Sequence, residues 1–167
     1  LDPASAVRVE RVVRPAASPA PEPFAHFHEP AELIWFTAAH GAVTTEYGTL
    51  PIGDGTLLFL PAMTTHDFRL DAGATDWVMV HCDPALGQSD PALRLAVPQA
   101  HVPQPEASAR MAAAFDWLVA LAAAPGRAGD VVALTRLILK ELPGAEAPAD
   151  MTAAGRSFHR LRPALDL

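Results

Sequence analysis

The chain is poor in the residues that many small secreted or nucleic-acid-binding proteins depend on. Among 167 residues there is one cysteine, Cys82, which excludes an internal disulfide and a thiolate zinc cluster. One lysine, Lys140, accompanies eleven arginines, and nineteen acidic residues outweigh these twelve cations to give a net charge of -7. Such a surface repels a phosphate backbone, so this chain taken alone is a poor DNA binder. Apolar residues make up 50% of the chain, but no run approaches the roughly eighteen residues that span a bilayer. Leu1-Asp2-Pro3 has neither an initiator Met nor the basic and apolar regions of a signal peptide, so Leu1 is not expected to be the native start. A soluble, cytoplasmic, single-domain protein is the expectation, with a core large enough to stand without staples.

Proline is plentiful, at seventeen residues, and helps to divide the chain. Residues 1–23 join a strand-like piece, Val7 to Val13, to an arm with Pro15, Pro19, Pro21 and Pro23. These prolines remove backbone donors, which excludes a sheet interior but leaves an edge open. Residues 24–100 read as β structure, with runs Glu32 to Thr37, Ala42 to Tyr47, Leu57 to Leu60, His66 to Leu70 and Asp76 to Cys82. Glycines and prolines break them, at Gly41, Gly48, Pro51 through Gly55, Pro61 and Gly73, as in a sandwich or small barrel.

Residues 101–143 change period. Gln104 to Ala124 sets Met111, Phe115, Leu118 and Leu121 on one helical stripe, with Pro105 tolerated in the first turn. Asp130 reads as the N-cap of a second helix, with Val131, Leu134, Ile138 and Leu142 on one face and Pro143-Gly144 ending it. The pair predicts a helical hairpin, and Val119, Val132 and Leu137 offer it a second face for dimerisation. Residues 144–167 read as a small, polar linker and then a locally basic segment with Arg156, Arg160 and Arg162.

The chemistry concentrates in histidines. On a strand, Phe24, His26 and His28 share one face. Glu32 opens the next run, and His66, Phe68 and Leu70 alternate inward. If the sheet curls, three imidazoles and a carboxylate converge, a ligand set suited to Zn, Fe, Mn or Ni. The same histidines read equally as barrel-lining residues that touch an organic effector or one another. Ile34, Phe36, Phe24, Phe68 and Met63 would supply an apolar pocket wall. His81, alternating with Trp77 and Met79, lines that pocket or faces a partner. His40 and Phe27 are expected to point away from the site, and Cys82 to be a packing residue.

His26-Phe-His28-Glu-Pro-Ala-Glu32 is an HxHxxxE run, and Gly55 to His66 is a GxxxxxPxxxxH run. Together they resemble the two motifs of the cupin superfamily, small jelly-roll barrels whose usual metal ligands correspond to His26, His28, Glu32 and His66. The sequence departs from the cupin pattern at Ala20, Gly41, Met63 and Leu70. With the hairpin and the closing Phe158-His-Arg-Leu-Arg162, the chain looks like the sensor half of an AraC-family transcription regulator. That resemblance implies a mostly β, cupin-like barrel that binds a small-molecule effector, a helical hairpin that supports a homodimer, and DNA binding through a C-terminal domain not present in this sequence. It implies no catalytic residue. The competing expectation is a metal-dependent cupin enzyme, a dioxygenase or isomerase, although no further acid or base is recognisable beside the histidines.

Overall fold

The structure is a computed structural model that describes residues 6–84, 86 and 97–142. Strands β1 (Val7–Arg14), β2 (Ala31–Ala38), β3 (Gly41–Thr45), β4 (Gly48–Ile52), β5 (Thr56–Leu60), β6 (His66–Leu70), β7 (Thr75–Cys82) and β8 (Gln99–His101) precede helices α1 (Pro105–Ala123) and α2 (Ala128–Leu139). All the strand pairings are antiparallel. They form a five-stranded sheet in the order β1-β7-β2-β5-β8 and a three-stranded sheet in the order β4-β3-β6. β1, the outer strand of the larger sheet, precedes the proline-rich arm.

Strand alternation creates two cores. On one face of the larger sheet Leu33, Trp35, Leu57, Phe59, Val78 and Val80 are buried against the helices. On the other face Ile34, Phe36, Leu58 and Leu60 meet Val43, Ile52 and Leu70 of the smaller sheet. Trp35 and Phe36, adjacent in sequence, accordingly serve different cores. Trp35 stacks on Phe115 of α1, ring centroids 5.9 Å apart, while Phe36 lies 6.2 Å from the ring of Trp77. The predicted stripe Met111, Phe115, Leu118, Leu121 is the buried face of α1. Arg11 ties β1 to both neighbours by donating to Asp76 and Asp116.

Four local expectations are corrected. Gly48 and Pro51 were read as breaks, yet β4 pairs along its length with β3, because an edge strand tolerates a proline. β8 was not anticipated; its three residues carry no periodic signal. α2 begins at Ala128, with Arg127 at its N-cap and Asp130 in its first turn accepting from the Arg127 guanidinium. The same helix ends at Leu139, before Pro143, as Lys140, Glu141 and Leu142 close onto carbonyls three residues back. The expected linker and basic segment, residues 144–167, lie outside the described residues.

Gly41 is required where it stands. Its φ is 142°, and a Cβ there would lie 2.2 Å from the Arg69 carbonyl oxygen of β6. Met63, which stands where the cupin motif has glycine, takes the left-handed backbone itself, with φ 62°. Cys82 is buried, and burial pushes its thiol up to about 12.

Candidate functional site

The segment 24–30 is not a strand, contrary to the sequence reading. Pro23 and Pro30 withhold donors on either side, and pairing is confined to one bridge in which His26 and His66 exchange backbone hydrogen bonds of 3.0 and 2.9 Å. The bridge still delivers the two histidines to β6. The His26 and His66 rings lie 4.3 Å apart, and those of His28 and His66 5.1 Å apart. Ligand atoms of His26, His28 and His66 fall within 4.8 Å of one another, as do those of His28, Glu32 and His81.

Hydrogen bonds behind the rings set their chemistry. His26 Nδ1 contacts the Phe24 carbonyl at 2.9 Å, His28 Nδ1 the Pro30 carbonyl at 2.8 Å, and His66 Nδ1 the Thr64 carbonyl at 2.9 Å. A carbonyl oxygen only accepts, so each Nδ1 carries the proton and each neutral ring presents an Nε2 lone pair. His28 Nε2 lies 2.9 Å from Glu32 Oε1 and His66 Nε2 lies 3.5 Å from Glu32 Oε2, without a directed hydrogen bond. Lone pairs facing a carboxylate repel unless a cation stands between them. His81 differs: its Nε2 makes a hydrogen bond of 2.9 Å to Glu32 Oε1, which a neutral His81 satisfies by donating.

In the metal-free protein a proton on His28 can be the cation between its ring and Glu32. Burial alone would raise the Glu32 carboxyl, but the surrounding imidazoles of His28, His81 and His66 hold it at about 2. The neighbouring carboxylate raises His28 against the effect of burial. Burial lowers His66. A buried anion, ringed by imidazoles whose Nε2 atoms include two unpartnered ones, is a donor set that fits a divalent cation.

This cluster opens into a cavity of about 340 Å³ between the two sheets. Of the pocket residues expected from sequence, Ile34, Phe36, Phe68 and His81 line it; Phe24 and Met63 do not. Phe24 is 72% exposed and stacks on His26, because no strand turns it inward. Met63 sits in the turn before β6 and donates its backbone N–H to the His28 carbonyl. His40 pairs with Asp54 at the surface, 3.6 Å away, and Phe27 is exposed. The sequence reading missed Trp77 and Met79 as wall residues, although their alternation with His81 carries the signal. Arg14 and Pro21 also line the cavity. Nothing local marks Arg14; only the β1–β7 pairing brings it there.

Among the described residues no helix is long and apolar enough to cross a membrane. No curated protein matches the chain. Among solved structures, the AraC-like transcriptional activator CuxR has a similar fold, with a TM-score of 0.59 at 10% identity, covering 97% of this chain and 62% of that one. A cupin 2 conserved barrel domain protein from Rhodopseudomonas palustris aligns over 59% of this chain and 75% of its own, at 17% identity and a TM-score of 0.39. The polyketide cyclase RemF from Streptomyces resistomycificus aligns over 48% of this chain and 57% of its own, at 19% identity and a TM-score of 0.38. The family model of the AraC-like ligand binding domain matches residues 18–139. A cupin-like jelly roll followed by a helical hairpin, matched across that span, makes this chain a member of the AraC-like ligand binding domain family.

Proposed function

We propose that the chain is the effector-sensing and dimerisation part of an AraC-type transcription regulator, working in the cytoplasm. A small molecule enters the cavity between the sheets and favours one arrangement of the arm, the barrel and the hairpin. That preference is linked to how two C-terminal DNA-binding domains, reached through residues 144–167, are presented to DNA. The hairpin supports a homodimer through the face that carries exposed Leu137 and half-buried Val119 and Val132. The observation that carries the reading is the cavity itself, apolar along Ile34, Phe36, Phe68, Trp77 and Met79 and polar at the His/Glu cluster, inside a ligand-binding family domain.

His26, His28, Glu32 and His66 would hold a divalent metal, Zn, Ni, Fe or Mn, with His81 supporting Glu32. A bound ion would supply a Lewis-acidic point for a polar group of the effector. The same cluster also favours a second reading, a metal-dependent dioxygenase or isomerase. Against that, among the described residues the wall outside the cluster carries no second acid or base. Ligand-observed NMR against a library of small molecules tests the sensor reading. Binders should lose their signal in Ile34→Trp, whose indole fills the cavity, with circular dichroism as the folding control. A complete lack of binders, or binders indifferent to Ile34→Trp, overturns it; turnover of a binder by the metal-loaded protein favours the enzyme.

A further inference from the structure

We infer that the effector is a compact organic carboxylate, held with its apolar body on the Phe36–Trp77 wall and its anionic group on Arg14; the inference rests on the small-molecule reading above. Alternation along β1 sends Val7 and Val9 to the helix-side core, where Arg11 reaches Asp116, and Val12 and Arg14 to the cavity side. Arg14 is the last residue of β1, paired with Thr75, and its side chain lines the cavity. On β7, Thr75 stands six residues from His81, about 20 Å at the usual strand rise. The rungs between, Phe36 with Trp77 and Ile34 with Met79, are apolar. The wall thus has the His/Glu cluster at one end and a guanidinium at the other.

That guanidinium is incompletely satisfied. Its Nη2 donates to the Pro19 carbonyl of the arm, while Nη1 is buried without a partner, and no carboxylate among the described residues pairs with it. The hydroxyl of Thr75, on the same rung, is also buried without a partner, in a residue that is 4% exposed. Arginine does not shed its charge, so a buried N–H with no acceptor stands at a free-energy cost that a ligand oxyanion removes. A carboxylate in the cavity would accept from Nη1. Because Nη2 of the same side chain holds the arm, whose Ser18 carbonyl in turn accepts from Gly73, an anion on Nη1 would also stiffen the arm against the barrel.

The test is calorimetric titration of the metal-stripped and the zinc-loaded chain with benzoate, phenylacetate and 4-methylpentanoate, with their primary amides, and with phenyl phosphate. At least one acid should bind and its amide should not. R14Q should weaken that acid roughly tenfold to a hundredfold in both metal states, and R14K less, since it keeps the charge but not the planar fork. R14K carries the comparison if R14Q does not fold. Binding of the acid should survive removal of the metal. Acids that bind equally to R14Q, or that bind only with zinc, overturn the assignment to Arg14. Acids no better than amides overturn it while leaving the small-molecule reading intact. If neither acids nor amides bind, the carboxylate assignment falls while the small-molecule reading is decided by the library screen, and Arg14-dependent preference for phenyl phosphate overturns the carboxylate class.

Discussion

Replacing the four histidines of the cluster one at a time separates those that would bind a metal from the one that would only support it. His26, His28 and His66 each have Nδ1 tied to a carbonyl and Nε2 free for a cation, whereas His81 is hydrogen-bonded through Nε2 to Glu32. Complete four-ligand zinc sites are worth about 10–16 kcal/mol. An equal share per ligand is about 2.5–4 kcal/mol, or roughly two to three powers of ten in affinity. Alanine at His28 or His66 should therefore weaken zinc by about that factor, with His26 at the lower end because it is the least enclosed of the three. Alanine at His81 removes a group behind a ligand, for which about tenfold to a hundredfold is expected. Competition with a chromophoric chelator measures these affinities. Cobalt substitution adds a readout that does not depend on their size: the visible bands should change shape in the His28 and His66 variants and keep it in His81→Ala. A changed spectrum in His81→Ala together with an unchanged one in His66→Ala would refute the tautomer argument.

Three further outcomes follow from the fold and the buried carboxylate. Gly41→Ala forces a Cβ to 2.2 Å from the Arg69 carbonyl at a φ of 142° and should cost about 2–3 kcal/mol, so an unchanged urea midpoint would contradict the close approach of β3 to β6. Phe115→Ala empties the place beside Trp35 where α1 meets the larger sheet; about 3–5 kcal/mol should be lost in chemical denaturation, and a loss below about 1 kcal/mol would mean the helix is not seated there. In metal-free protein the Glu32 carboxylate sits at about 2 against an ordinary 4.5, so its stabilising contribution is complete above about 4.5 and is lost as pH falls towards 2. The amount is on the order of 3 kcal/mol. Denaturation across that window should show a shallower pH slope in Glu32→Gln, and parallel slopes would show that Glu32 is not held by its imidazoles.

Much of this protein was legible in one dimension, since alternation in strands and the three-and-four spacing in helices are local consequences of backbone geometry. Alternation separated Trp35 from Phe36, helical spacing picked out the buried face of α1, and the HxHxxxE and GxxxxxPxxxxH runs marked His26, His28, Glu32 and His66. Where local signals compete, the reading failed. Pro51 looks like a break although an edge strand accepts it, and His26 and His28 look like a strand although prolines leave them a single bridge. Asp130 has the chemistry of an N-cap, yet the helix starts two residues earlier. The tertiary structure alone decided which groups meet. His81 reaches Glu32, 49 residues away in sequence, because β7 lies beside β2, and Arg14 enters the cavity because β1 pairs with β7. Strand order is chosen by how two apolar sheet faces bury each other, a property of the whole chain, so the polar ends of the pocket could not be read from either segment alone.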